Sequence, residues 1–339
     1  MAQIFISWYG SRPPWNPGAS LAVCYSVRIL ALGAFLVLAS SAHAQTPCAM
    51  GRSDHAWVNE QIDTWRSVSR EALRIDPDPL PLIIVFDETC AWSIEREVRG
   101  TPHAGSLTLP DGEQVPVRLM TFAGSYGPSE KPFVVMAMPS MWRADAKHAG
   151  DADLARLIRA VFTHEMAHTV QTAGIGQWLN DIERRLGLPD DLDDDIVQTR
   201  FEGDAGFRLA FEAERDALYE AAAQKDPARR RVLVSEAVSM MEARRAKYFT
   251  DANAIYAELE DVFLNMEGLG NWVAYQVALK EGMSEASGQD FIRRGRNRWS
   301  QDEGLAAFLV IDALVPGWRA KVLQGRPASI LGLLREAAR

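Results

Sequence analysis

The chain has 339 residues, 47% of them hydrophobic and 24% charged. These are ordinary globular values, and they exclude wholesale disorder and low-complexity polymers. The formal net charge of −9 argues against nucleic acid as a partner, because binding phosphate needs a dense basic field. The one basic run, Arg229-Arg230-Arg231, is interleaved with acidic helical sequence and reads as a solvated face.

The first 44 residues have the form of a targeting segment. Ile29 to Leu38 (ILALGAFLVL) follows Arg28, and Ser41-Ala42-His43-Ala44 supplies small residues for cleavage after Ala44. A run of about ten apolar residues is too short to span a bilayer, which takes about 20. The expected protein is therefore exported, periplasmic or secreted, with Gln45 as its first mature residue. Residues 1–26 carry Pro and Trp and fit no basic leader, so Val27 is the expected true start. No later segment is apolar enough to span a membrane. Cys24 falls in the removed part, leaving Cys48 and Cys90. In an oxidising compartment these are expected to form one disulfide, tying the mature N-terminus to the first strand. Cys48 follows Gln-Thr-Pro and has no lipobox.

The mature chain, residues 45–339, reads as a single domain of α+β class. Trp57, Ile62, Trp65, Val68 and Leu73 recur at helical spacing and predict a helix over 54–74, capped by Ser53 or Asp54. Asp76-Pro77-Asp78-Pro79 stops it. Leu82 to Phe86 is a β-branched run and predicts a buried strand. Leu107–Leu109 and Val115–Leu119 flank Pro110-Asp111-Gly112 and predict a hairpin. Phe133 to Met138 is a further strand, ended by Pro139. Beyond residue 150 strand signals nearly vanish. Leu154, Leu157, Ile158, Val161 and Phe162 share one helical face. Further helices are predicted over 177–186, 203–224, 228–249, 251–281, 284–296, 302–314 and 328–338, with an acidic loop over 187–195. Gly304 to Gly317 and Trp318 read as a core helix followed by a Pro-Gly turn.

One motif carries chemistry. His164-Glu165-Met166-Ala167-His168 is H-E-x-x-H. On a helix, residues four apart sit one above the other, so both imidazoles can reach one metal. Zn²⁺ is the natural ion for two His and a carboxylate, and it brings the pKa of a ligated water down toward 7. Glu165 is rotated about 100° from His164 and can serve as general base and then acid.

A catalytic zinc site needs a third protein ligand. His168 is not followed by a further His, and the other mature histidines, His55, His103 and His148, all lie upstream. A downstream carboxylate is the expected ligand. Glu267, in Asn265-Met266-Glu267-Gly268-Leu269-Gly270-Asn271-Trp272, is the first choice, with Gly268 and Gly270 allowing close approach to the motif helix. Glu202, Asp204, Glu212 and Glu214 are the rivals, though they read as a solvated helix face.

On these two motifs the chain resembles the gluzincin metallopeptidases, in which a downstream helix bearing N-E-G-x-A completes the zinc site. Here Met266 separates Asn265 from the Glu, and Gly270 stands where Ala is usual. Glu267 also lies roughly a hundred residues after His168, making 173–262 a helical insertion. The resemblance implies His164, His168 and Glu267 as zinc ligands and Glu165 as general base. It also implies an edge strand beside the motif helix, expected at Phe133–Met138, that pairs with an extended substrate.

Tyr248, Tyr256 and Tyr275 are candidates for stabilising a developing oxyanion. Asp190 to Asp195 lacks the glycine and terminal Glu of an EF-hand loop and reads as solvated. The expected activity is zinc-dependent hydrolysis of a peptide or protein substrate. The alternatives are hydrolysis of another amide bond, as in deformylases, or a non-catalytic binding protein of zincin fold.

Overall fold

The computed structural model describes residues 48–187, 194–294 and 298–339. The expected targeting segment and most of the expected acidic loop lie outside these residues. Helix accounts for 61% and strand for 12%, in an α+β arrangement of one small mixed sheet and many helices.

The first helix, α1 (Arg52–Val68), buries Val58, Ile62, Trp65 and Val68 and widens into a π-helical turn over Ser69–Leu73. Seven strands follow: β1 (Leu82–Phe86), β2 (Cys90–Ile94), β3 (Val98–Pro102), β4 (Ser106–Thr108), β5 (Gln114–Pro116), β6 (Thr121–Tyr126) and β7 (Lys131–Ala137). β4 and β5 form the expected hairpin by themselves, and the other five make a sheet ordered β3-β2-β1-β7-β6. β1 and β7 run parallel at its centre, with Ile84 opposite Val135, and the other pairings are antiparallel. Burial on both faces explains why these two strands read as continuous apolar runs.

This order corrects the edge-strand expectation. Phe133 to Met138 lies within and just after β7, which is flanked by β1 and β6 and has no free edge. The free edge near the motif helix is β6, whose small residues carry no alternating pattern. Gly124 is needed there, because a Cβ would lie 2.7 Å from the Phe133 ring.

The expected disulfide joins Cys48 to Cys90. Cys90 opens the second strand of the chain, not the first. The Cys48 carbonyl also accepts the Trp92 indole N–H at 2.8 Å, pinning the start of the described residues to the sheet.

The helical remainder comprises α2 (Pro139–Ala144), α3 (Leu154–Gln171), α4 (Gln177–Leu186), α5 (Ile196–Phe201), α6 (Ala205–Ala223), α7 (Pro227–Tyr248), α8 (Tyr256–Lys280), α9 (Glu285–Ile292), α10 (Trp299–Leu314), α11 (Trp318–Leu323) and α12 (Ile330–Ala337). The 25-residue α8 is about 37 Å long. It is buried on every side from Leu259 to Ala278 except at Gln276, as expected of a central helix. α3 and α10 pack against it. Gly268 and Gly304 bring α8 and α10 together, since a Cβ on Gly268 would lie 2.6 Å from the Gly304 carbonyl oxygen.

Two carboxylate groups expected in solvent are buried. Glu214 on α6 pairs with Arg244 on α7, which also holds Glu260 on α8 at 2.9 Å. Arg245 bridges Glu260 and Asp261 at 2.8 and 3.2 Å. Asp194 and Asp195 are buried as well, and Asp195 accepts from Arg298 at 2.5 Å and Ser300 at 3.1 Å. Arg229 is exposed, as expected, but Arg230 folds back to donate to the carbonyls of Ala222 and Gln224 that end α6.

Candidate metal centre

The H-E-x-x-H motif occupies the second half of α3, on the side facing α8 and β6. His164, Glu165 and Glu267 are fully buried and His168 nearly so. Across the groove α8 presents Glu267, so residues about a hundred positions apart converge. One donor atom from each of His164, His168 and Glu267 lies within 4.8 Å of the others, the one such group of His, Cys, Asp or Glu among the described residues.

The spacings suit a metal. His164 Nε2 lies 3.4 Å from Glu267 Oε2, and His168 Nε2 lies 3.5 Å from Glu267 Oε1. Four ligands tetrahedral about zinc at 2.0–2.1 Å have mutual separations of about 3.4 Å. Both imidazoles approach through Nε2, with ring planes 82° apart.

Their other nitrogens are held. His164 Nδ1 lies 3.1 Å from Asn271 Oδ1, and His168 Nδ1 lies 3.0 Å from Gln171 Oε1. Each amide carbonyl needs an N–H at Nδ1, which leaves the Nε2 lone pair directed at the metal position. The amides are fixed in turn: Asn271 donates to the Gln301 carbonyl at 3.0 Å and Gln171 to the Asn265 carbonyl at 3.2 Å. Gln301 on α10 donates to Glu267 Oε2 at 2.9 Å. Such outer partners set ligand orientation.

Helix geometry explains part of this constellation. Gln171, three residues after His168, shares a face with the ligand it serves, while Asn271, four residues after Glu267, shares that ligand's face and reaches across to His164. That spacing was a usable signal in the sequence. Gln301 had none, because it reaches the site only through the packing of α10 on α8. Of the two glycines expected to admit the motif helix, Gly270 does so, since a Cβ there would lie 2.6–2.7 Å from the His164 ring. Gly268 instead admits α10.

Burial holds both imidazoles down, His164 to about 3 and His168 to about 4, the latter also through the neighbouring His164. Both are neutral, and thus able to coordinate, at physiological pH. Burial raises Glu165 well above 4.5, the Glu267 charge adds to this, and the Ala123 backbone N–H opposes it. A cation held by the ligand group would also oppose it.

The contact with Ala123 identifies the strand beside the site. The bond from the Ala137 N–H to the Met120 carbonyl and the pairing of Ala123 with Val134 set the β6–β7 alternation. It directs the backbone groups of Thr121, Ala123 and Ser125 away from β7, toward the free edge. Ala123, Gly124 and Ser125 form one wall of a cleft. His168, Gln171, Thr172, Ile175, Gly176 and Met266 line it opposite, with Glu130 and Asn180 at its end. A π-helical turn over Thr172–Gly176, between α3 and α4, shapes that opposite wall.

The remaining expected site residues lie elsewhere. Glu214 is neutralised by Arg244. Asp204 caps α6 by accepting the Phe207 N–H at 2.9 Å, Glu202 is exposed and Glu212 half-buried. None of them joins the ligand group. Tyr248 and Tyr256 belong to an aromatic cluster with Phe201, Phe207 and Phe249. Tyr275 packs on Gly288 of α9. It is two turns beyond Glu267, about 12 Å along the axis. No described contact brings any of the three to the cleft.

No protein family, curated protein or solved structure matches this chain.

Proposed function

We propose that the protein is a zinc-dependent peptidase of gluzincin type, acting on an extended peptide or a protein segment laid along β6. One observation carries the reading. His164, His168 and Glu267 converge at ligand–ligand distances with their Nε2 and carboxylate atoms inward, and Glu165 stands beside them against an edge strand. A structural metal site has no use for such a neighbouring carboxylate, so its presence favours catalysis over a scaffold role.

His164, His168 and Glu267 would hold the ion, which when bound acidifies a ligated water and polarises a carbonyl. Asn271, Gln171 and Gln301 keep the three ligands aligned. The outward backbone groups of β6 orient the substrate by strand pairing. Glu165 accepts a proton from the attacking water as its oxygen bonds to the scissile carbon. It then delivers that proton to the nitrogen as the C–N bond breaks. Burial of the site excludes bulk water from this exchange.

The test is elemental analysis and peptide hydrolysis on the protein spanning residues 45–339. About one zinc per chain is expected, retained in Glu165→Gln and lost or weakened in Glu267→Ala. Hydrolysis is expected to fall at least about 10³-fold in Glu165→Gln. Undiminished hydrolysis in that variant would sink the mechanism.

A further inference from the structure

Among the described residues, the cleft beside the ligand group carries one charged side chain besides the metal-site residues, and it is an acid. Glu130 lines the cleft with His168, Ser125 and Asn180. It closes the Gly127-Pro128-Ser129-Glu130 turn that connects β6 to β7. Its φ is +47°, a left-handed conformation that L side chains rarely adopt. Glycine would be the ordinary choice at such a position, and Glu there is a local cost of the kind that gathers at ligand sites.

The carboxylate is half-buried, and its one side-chain partner is Asn180 Nδ2 on α4, at a long 3.5 Å. No Lys, Arg or His among the described residues pairs with it, Lys131 next to it in the chain included. Other half-buried carboxylates among the described residues carry such a partner. Glu281 binds Arg156 and Arg159, and Glu258 binds Arg185 and Arg326. Glu130 therefore presents an uncompensated negative charge in a site whose walls are otherwise neutral or apolar.

Position sets the reach. Ala123 stands at Glu165, and Ser125 is two residues further toward the turn, about 6.6 Å along the strand. A substrate paired with the outward Ala123 carbonyl and the outward groups of Ser125 runs from the ligand group toward Glu130. A long side chain within two residues of the scissile bond spans the remainder.

We propose that Glu130 is a specificity-determining residue that selects substrates bearing a cationic amine or guanidinium within two residues of the bond cleaved. This rests on the peptidase reading above. Two sources supply the same chemistry, a Lys or Arg side chain and a free N-terminal ammonium. Glu130 is assigned to the side chain, and acetylation of the peptide N-terminus separates the two sources.

The experiment uses zinc-loaded protein spanning residues 45–339 and fluorogenic peptides that differ at single positions. Each is made with Lys, Arg, Gln or Asp near the scissile bond and with free or acetylated N-termini. The expected result is kcat/KM about tenfold or more higher for Lys and Arg than for Gln, with acetylation having little effect. Glu130→Gln should bring that ratio close to one. Glu130→Lys should invert it toward Asp, and zinc content should be unchanged in both.

Cleavage without basic preference, or a preference that survives Glu130→Lys, overturns the proposal and leaves the peptidase reading intact. A preference seen only with free N-termini assigns Glu130 to the terminal ammonium and overturns the side-chain assignment. If no peptide is cleaved by a zinc-loaded protein, the peptidase reading fails. Fluorescence anisotropy of the labelled Lys and Asp peptides then decides the inference: Glu130-dependent selection of the Lys peptide keeps it as a cation-binding subsite, and equal binding overturns it.

Discussion

A methyl group added at Gly270 would sit 2.6–2.7 Å from three atoms of the His164 ring. The ring is already fixed by Asn271 at its Nδ1, so it cannot yield without turning its Nε2 away from Glu267. Gly270→Ala is therefore expected to keep the fold and weaken metal binding about 10–100-fold, the usual size for a disturbed ligand orientation. Competition with a chelator of known zinc affinity measures it, and unchanged affinity would show that His164 is not a ligand. Asn271 and Gln171 are neutral, so they orient the rings without adding the negative charge that a carboxylate partner would supply.

At the scale of elements, β6 is the one whose place in the fold decides how a substrate could bind. Its outward residues are set by the alternation with β7, and its free edge faces the cleft. Proline is tolerated on a sheet edge where the lost N–H points outward. Ser125→Pro should therefore leave folding and zinc content intact and lower peptide kcat/KM about tenfold or more. An unaffected kcat/KM in a zinc-replete Ser125→Pro variant would remove strand pairing at that position from the mechanism. The parallel β1–β7 pair does the opposite job. It is buried on both faces and anchors the sheet on which α3 lies.

Across the whole molecule, a buried charge network ties α6, α7, α8 and α10 behind the site. Arg244 is fully buried between Glu214 and Glu260, with Glu303 of α10 alongside. Burial raises Glu303 well above 4.5, and the Glu214 charge raises it further against the opposing pull of Arg244. The folded protein thus keeps a proton that the unfolded chain releases above about 4.5. Stability from this group is complete below that pH and is lost as pH rises toward the folded-state value. Glu260 is shifted down despite its burial, chiefly by Arg244 and Arg245, and has the opposite sign: it stabilises at neutral pH and loses that on acidification. Glu303→Gln should remove the first effect alone. Denaturant unfolding of the metal-free protein should show a variant that gains on wild type by on the order of 1 kcal/mol per pH unit as pH rises above about 5. A wild-type stability that rises through that range as steeply as the variant's would show that Glu303 is ionised in the fold.

Much of the candidate site was legible before any tertiary structure, and the reason is local periodicity. The 3.6-residue turn alone places His164 and His168 on one face with Glu165 beside them, and it does the same for Glu267 and Asn271. With two cysteines beyond the expected cleavage site, one intrachain disulfide pairing existed, and the helix-rich α+β class followed from where strand signals stopped. Other features depended on partners distant in sequence. Glu267 and Glu214 are both helical acids in similar local surroundings, yet one faces two imidazoles and the other a buried guanidinium. Thr121 to Tyr126 has the small residues of a loop and becomes a strand because β7 pairs with it. Phe133 to Met138 is just as apolar whether a strand lies on one side or both, so its interior position could not be read from its residues. Period and spacing are properties of a single turn or strand, and the chain alone determines them. Which carboxylate meets a metal, which meets an arginine and which strand keeps an open edge are decided by the packing of elements far apart in sequence.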